Sequence, residues 1–356
     1  KRVPETDLTC LPDILTAAGY QNHWFSAFKS TYSGKKPFLE THGFQHIHGV
    51  ETHGEPDEVH VGWGVSDEVM ADRILTQLDK TEKPFLATWI TLSNHHPWRW
   101  DYPLDFPADL AVDDKSETYD HYKRGIYYTD HAIGYFVDKI RERPWGKDAW
   151  IVIVGDHGMA MYPNNTERSE FGKREAHFRV PLLILAPGVL EPQIIERPAS
   201  QVDIAPTLID MMGIQVPNAF VGQSLLRDAS APASPVLMVG VNSASMVIDD
   251  KRCIASTYSC KEDETPKCAD GESSRAANHV CFRQKADLLF NEDNGLELLS
   301  EKETAVLKRK LRVLPAMQTH LEAHNRLGGG QTWKDSLKGL APQKEQATPE
   351  SESHLN

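Results

Sequence analysis

Apolar and polar positions alternate along the chain in blocks that can be assigned one by one. Over residues 11–19, Leu11, Ile14, Leu15 and Ala18 recur at helical spacing and Gly19 supplies a C-terminal stop. Residues 20–28 read as a strand running into a loop. Residues 67–79 form a second helix with Val69, Met70, Ile74, Leu75 and Leu78 on one face. The run at 84–92 (Phe85, Leu86, Ala87, Trp89, Ile90) reads as a buried strand ending in Ser93-Asn94-His95-His96-Pro97-Trp98. A long helix over 117–141 turns Ile126, Ile133, Phe136, Val137 and Ile140 inward. Ile151-Val152-Ile153-Val154 has the β-branched composition of a buried parallel strand, and it stops abruptly at Gly155-Asp156-His157-Gly158. Val180-Pro181-Leu182-Leu183-Ile184-Leu185-Ala186 is a further short apolar run. Residues 203–212 read as a helix with Asp203 as cap, Pro206 in the first turn and Gly213 at the end.

Strands therefore alternate with helices through about residue 230, the signature of a mostly parallel sheet with helices on both faces. Beyond it the pattern changes. Residues 236–241, 245–248, 253–257 and 286–290 are short strands separated by turns, expected to pair antiparallel. A helix over 301–323 follows, then a polar tail. The expected organisation is an α/β unit over 1–230, a small antiparallel α+β subdomain over 231–335, and a disordered tail over 336–356.

The 356 residues, 40% hydrophobic and 25% charged, suit that arrangement. Lys and Arg number 38 against 51 Asp and Glu, a formal charge of −13, which argues against nucleic acid as a partner. It does not exclude an anionic substrate, because a bound metal reverses the local field. No apolar run approaches the roughly 18 residues of a membrane span, and no signal-peptide pattern stands at Lys1. Lys1-Arg2-Val3-Pro4 leads straight into the first helix, as in a fragment or a processed product.

Four of the five cysteines (Cys253, Cys260, Cys268, Cys281) cluster in a polar segment, and Cys10 stands apart. Their spacings lack a C-x₂-C pair, which disfavours zinc and favours two disulfides in an oxidising compartment; three pairings stay open.

The candidate chemistry sits at strand ends, where ligands bind in open α/β sheets. Asp156 and His157 are metal-ligand types that can converge on one divalent cation. The plainer alternative is a helix-capping Asp beside an incidental His. Asn94-His95-His96 ends an earlier strand. Lys173 and His177 lie in a charged loop before Val180, from which they can reach the same edge. Each cluster alone reads equally as loop residues; three of them together suggest an active site.

Taken in order, these segments resemble a known family. Gly155-Asp156-His157-Gly158, Arg179-Val180-Pro181-Leu182-Leu183-Ile184, Gln201-Val202-Asp203-Ile204-Ala205-Pro206-Thr207-Leu208 and Gly222-Gln223-Ser224-Leu225 look like the alkaline phosphatase/sulfatase superfamily. Trp63-Gly64-Val65-Ser66-Asp67 and Thr91-Leu92-Ser93-Asn94-His95-His96-Pro97 look like its lipoteichoic acid synthase and phosphoglycerol transferase branch. The resemblance covers about residues 8–230. It implies an alkaline phosphatase-like fold and an enzyme using one divalent metal ion, Mn²⁺ foremost, with Mg²⁺ or Zn²⁺ as alternatives. A Thr nucleophile attacks a phosphodiester, and the headgroup passes from an anionic phospholipid-type donor to a glycan or lipid acceptor. A divalent ion suits this chemistry, since it acidifies the hydroxyl and neutralises phosphate charge.

Carried over residue by residue, Asp156 and His157 match two metal ligands, and His95 matches a His that contacts the phosphate-bearing substrate. His177 lies where related transferases place another substrate-side His. His96 and Lys35 complete the expected substrate-binding set. The family's Thr nucleophile and an acidic ligand precede its first helix seen here, so both are expected upstream of Lys1. Membrane-spanning helices are expected further upstream still, which makes the intact protein membrane-anchored and extracytoplasmic. Where lipoteichoic acid synthases carry His, Trp and Arg, this chain has Ser26, Ser33 and Lys35. Lys35 can meet phosphate as a point charge but not as a bidentate fork. Two other readings stay open. One is a sulfatase or phosphodiesterase with water as acceptor, although Cys10 is followed by Leu-Pro-Asp-Ile and does not complete the C-x-P-x-R context of a formylglycine. The other is a non-catalytic domain of the same fold.

Overall fold

A computed structural model describes residues 9–52, 60–112, 116–159, 176–216, 220–228, 230–231, 235–239, 243–248, 251–256, 278–284 and 296–310. The first helix, α1 (Leu11–Ala17), leads into β1 (Gln21–Ser26). β1 lies between β2 (His46–His48) and β5 (Phe85–Ile90), parallel to both. Its central place buries nearly every residue on both faces. Phe25 joins Ala27, Met70, Ile74, Leu78 and Leu92 in a core under α3 (Asp67–Leu78), which α4 (Thr118–Arg141) joins through Phe136. On the opposite face Asn22 is wholly buried and its amide donates to Pro12 O (2.7 Å) and Thr16 Oγ1 (2.8 Å), fastening α1. The sheet is thus covered on both sides, as the alternation of elements implied. The loop after β1 leads into α2 (Lys35–Thr41). A two-residue hairpin, β3 (His60–Val61) and β4 (Gly64–Val65), precedes α3.

Three expectations are corrected here. β6 (Ile151–Val154), read from its composition as a parallel strand, pairs antiparallel with β7 (Leu182–Leu185), Val154 opposite Leu182, and has no parallel neighbour among the described residues. An apolar run carries the same side-chain period in either direction, so orientation was not encoded in it. β6 is also half-buried rather than buried: Ile151, Val152 and Ile153 are partly exposed and Val154 is 40% exposed, because among the described residues β6 pairs on one side only, with β7. In α4, Ile126 faces solvent at 45% exposure. The first half of that helix instead buries His121, Gly125 and Tyr128.

The helix expected over 203–212 is present with Asp203 at its N-cap position, but the Asp203 side chain makes no capping bond to that helix. Ser200 and Asp203 form a capping box around a 3₁₀ turn, with Ser200 N–H donating to Asp203 Oδ2 (2.8 Å), and α5 (Ile204–Met211) continues from it. Asp203 Oδ1 also accepts Gln223 N–H (2.8 Å), pinning the Gly222-Gln223 segment. Ile209 of α5 meets Ile14 of α1, which ties this part of the chain to the core.

The C-terminal strands form an antiparallel sheet in the order β12-β11-β10-β9-β8: β8 (Val236–Val239), β9 (Ser243–Ile248), β10 (Lys251–Ser256), β11 (Asn278–Gln284) and β12 (Leu296–Leu298). Cys253 and Cys281 are Cα partners in the β10–β11 register. Residues 301–310 are helical. Cys260, Cys268, Lys173, the strand expected at 286–290, the rest of the helix to 323 and the 336–356 tail lie outside the described residues. No helix among the described residues is long and apolar enough to cross a membrane.

Candidate active site

Because β1 and β5 are parallel, both deliver their C-terminal ends to one edge, with Ser26 opposite Ile90. After Ile90 the chain turns back on itself: His95 N–H donates to Leu92 O (2.9 Å), and Trp98 and Trp100 indoles donate to the carbonyls of Asn94 (2.9 Å) and His95 (3.2 Å). Trp98 is held at φ 59° and is nearly buried. Its positive φ is an uncommon conformation for a bulky side chain, retained only where the surroundings enforce it. His95 and His96 stand exposed on this rigid base. His95 Nδ1 lies 3.0 Å from the His96 carbonyl, which can only accept. Nδ1 therefore carries the proton and Nε2 is left for a ligand.

Lys35 reaches the same region from the loop after β1. Its ammonium sits over Phe28 (5.2 Å) and Tyr32 (5.1 Å). Tyr32 meets Trp63 edge-to-face at 5.7 Å, and Trp63 meets the His95 imidazole at 4.5 Å. Lys35, Tyr32, Trp63, His95 and His96 thus form one continuous row. Tyr32 and Trp63 remain 50% and 46% exposed, large for aromatic side chains. Trp63 projects from the tip of the β3–β4 hairpin, where Gly62 adopts φ 70°. Ser26 is not available to a ligand: it is fully buried and its hydroxyl donates to Phe28 O (2.8 Å). Ser33 is exposed, at φ 57°.

The second group gathers at the end of β6. Gly155 N–H continues the ladder to Pro181 O (3.2 Å), and the Gln201 amide donates to Gly155 O (2.6 Å) and Asp156 O (3.0 Å). Gly158 N–H donates to His177 O (2.9 Å). A Cβ at Gly158 would stand 2.0 Å from Ala176 O, so only glycine lets the chains approach this closely. The antiparallel turn of β7 is what carries His177 to the Asp-His turn. On this braced backbone Asp156 and His157 are exposed, with Oδ2 and Nε2 3.7 Å apart. Asp156 Oδ1 accepts His157 N–H (2.8 Å), and His157 Nδ1 donates to Gly158 O (3.0 Å), which leaves Nε2 unprotonated in the neutral ring.

That pair fits a divalent cation as far as it goes. Ligand atoms 3.7 Å apart suit two bonds of about 2.1 Å to one ion, and the tautomer is the one a metal needs. Among the described residues no third His, Cys, Asp or Glu completes a metal-holding group. No hydrogen bond, ion pair or ring contact among the described residues joins Asp156, His157 or His177 directly to the Lys35–His96 row. Tyr32 was not recognisable in the sequence. Gln201 and Trp63 were visible only as members of motifs, without their bracing and ring contacts.

A sulfatase family model matches residues 3–214. The chain belongs to the sulfatase family. Its relatives place it in the phosphoglycerol transferase and lipoteichoic acid synthase branch, within a superfamily of enzymes acting on phosphoric and sulfuric esters. It is 31% identical over 238 residues to phosphoglycerol transferase I of Xanthomonas euvesicatoria, covering 63% of this chain and 32% of that protein. It is 26% identical over 209 residues to the lipoteichoic acid synthase-like YvgJ of Bacillus subtilis, covering 55% and 33%. The chain therefore spans about a third of the length of these relatives.

Two solved structures share the fold. An alkaline phosphatase superfamily protein from Vibrio parahaemolyticus has a TM-score of 0.67 at 21% identity, with 90% of this chain and 70% of that one covered. The lipoteichoic acid synthase LtaP from Listeria monocytogenes has a TM-score of 0.63 at 19% identity, with 96% and 76% covered. The alkaline phosphatase-like fold expected from the motifs is the fold of this sulfatase-family chain.

Proposed function

We propose that this chain is the extracytoplasmic part of a metal-dependent transferase. It moves a phosphoglycerol-type headgroup from an anionic lipid donor to a glycan or lipid acceptor through a Thr-linked intermediate. The observation that carries the reading is the Asp156–His157 pair, presented on a turn braced by Pro181, Gln201 and His177, in a sulfatase-family chain whose relatives are named phosphoglycerol transferase and lipoteichoic acid synthase. Asp156 and His157 would hold the ion, Mn²⁺ in the first instance. A bound ion would supply charge neutralisation and acidify a hydroxyl.

The remaining roles fall to side chains of this chain. Lys35 offers a point charge to an anionic group, backed by the Phe28 and Tyr32 rings. His95 presents Nε2, which takes a proton from an acceptor hydroxyl when the ring is neutral and donates to a leaving oxygen once it is charged. His177 and His96 would serve as further substrate-side residues. With water as acceptor the same residues would serve a phosphodiesterase.

The test is Asp156→Ala in the intact enzyme, assayed with Mn²⁺ and a phosphodiester. The Asp156 side chain is 85% exposed, so the melting temperature should hold while bound metal and turnover are both lost. Retention of full turnover would remove Asp156 from the site.

A further inference from the structure

Residues 63–67 grip the His95 segment at two points, and the second involves a buried carboxylate that neither capping nor ion pairing explains. Asp67 is completely buried. Its Oδ1 accepts Leu92 N–H (2.9 Å) and its Oδ2 accepts Ser93 N–H (3.1 Å), while its own N–H donates to Ser93 Oγ (3.1 Å). Although Asp67 opens α3, the cap of that helix is Ser66, whose hydroxyl accepts Val69 N–H. The Asp67 charge is therefore directed away from its own helix and onto the exit of β5.

The held segment is short and stiff. Leu92 O takes the His95 N–H, so the two amides bound by Asp67 sit at the base of the turn that carries His95. Ser93 O also accepts the Tyr102 hydroxyl (3.1 Å). At the other end of the grip the Trp63 ring stands against the His95 imidazole at an interplanar angle of 83°. Burying a carboxylate is costly, and a well-packed apolar residue commonly serves stability as well. Burial pushes the Asp67 pKa up, and the bonds from Leu92 and Ser93 oppose that rise. Charge-assisted bonds to two consecutive amides fix a backbone more firmly than neutral ones.

We propose that Asp67 is a positioning residue that sets where His95 stands through the amides of Leu92 and Ser93, while Trp63, four residues earlier, sets how the imidazole is turned. This rests on the reading of His95 as a substrate-facing residue. A serine-to-carboxylate pair at the start of one helix thereby becomes part of the active-site frame without touching substrate.

The experiment is a double-mutant cycle in the intact enzyme with Mn²⁺, using bis(4-nitrophenyl) phosphate as probe. The variants are Asp67→Asn, His95→Ala, both together, and Asp72→Asn on the outer face of α3 as control. Asparagine keeps the size of Asp67 but presents an N–H to one of the two amides. Asp67→Asn should lower kcat by at least about tenfold, since small misplacements of a reacting group are that costly. KM and melting temperature should change little, because a buried charge is removed at the same time. Added to His95→Ala, it should lower kcat no further. Full multiplication of the two effects, or a loss of kcat matched by loss of folded protein, would overturn the proposal. If His95→Ala keeps its kcat, the functional reading fails separately. The positioning is then judged by exchange of the Leu92 and Ser93 amide hydrogens and by the His95 ring resonances, which Asp67→Asn should alter; unchanged values would refute it.

Discussion

Histidine 23 carries the clearest residue-level consequence of this fold. It is 1% exposed in the middle of β1, with the His46 ring stacked at 4.3 Å, the His48 ring at 5.4 Å, and Nδ1 3.1 Å from His48 Nε2. Thr81, after α3, approaches Nε2, and Phe25 stacks on the same face. Burial, then the neighbouring His46 and His48, lower its pKa to about 4. In the unfolded chain a histidine titrates near 6.5. Between those values the unfolded state binds more protons than the native one, so stability rises with pH across that window and is lost as pH falls from about 6.5 towards 4. The loss is on the order of 3 kcal/mol. Melting temperature measured from pH 7 to pH 4.5 should fall, and His23→Gln should flatten that slope. An unchanged slope would assign the acid sensitivity elsewhere.

Nothing in the sequence singled out this trio, because β2 is only three residues long and meets β1 through long-range pairing. The Asp156–His157 turn was legible because strand, turn and ligand types are contiguous. The Lys35–Tyr32–Trp63–His95 row was legible only at Lys35 and His95, since its aromatic links join separate loops.

At the scale of elements, α4 shows how periodicity finds a helix yet misassigns part of its face. The apolar pattern placed Ile126 inward, whereas the helix buries Gly125 against the loop that carries His95. A Cβ at Gly125 would lie 2.7 Å from Asn94 Oδ1 and 2.9 Å from Tyr102 Oη. At Gly134, nine residues on and exposed, the same Cβ meets nothing within 4 Å. The two positions therefore make opposite predictions. Gly134→Ala should stabilise the protein by up to about 1 kcal/mol through helix propensity alone. Gly125→Ala should destabilise it by about 1–3 kcal/mol through overpacking and lower turnover as well, because Asn94 and Tyr102 must shift. Thermal melts and kinetics on the two variants check this, and equal behaviour would show that α4 does not hold the His95 loop. The antiparallel β6–β7 pair makes the same point for strands: burial pattern identifies a strand, but direction is set by connections the pattern does not contain.

Across the whole molecule, the C-terminal antiparallel sheet bears on where the protein resides. Four clustered cysteines allowed three disulfide pairings by sequence alone. The backbone register points to one of them, since Cys253 of β10 and Cys281 of β11 are Cα partners. Directly opposed residues in an antiparallel pair have Cα atoms about 4.5–5.5 Å apart, within the roughly 4.4–6.8 Å that a disulfide spans. Such a link would close a loop whose chain-entropy contribution is about 3–4 kcal/mol, comparable with a large part of a domain's net stability. Peptide mapping of non-reduced protein from its native host should therefore join the Cys253 and Cys281 peptides. Reduction should lower the melting temperature, and Cys281→Ser should free the Cys253 thiol. Bridges of this kind persist in oxidising compartments and are rare in the cytosol. A Cys253–Cys281 link would support the extracytoplasmic assignment on grounds independent of any relative. Free thiols at both positions would count against that assignment, and a bridge from Cys253 to Cys260 or Cys268 would overturn the pairing while keeping the compartment.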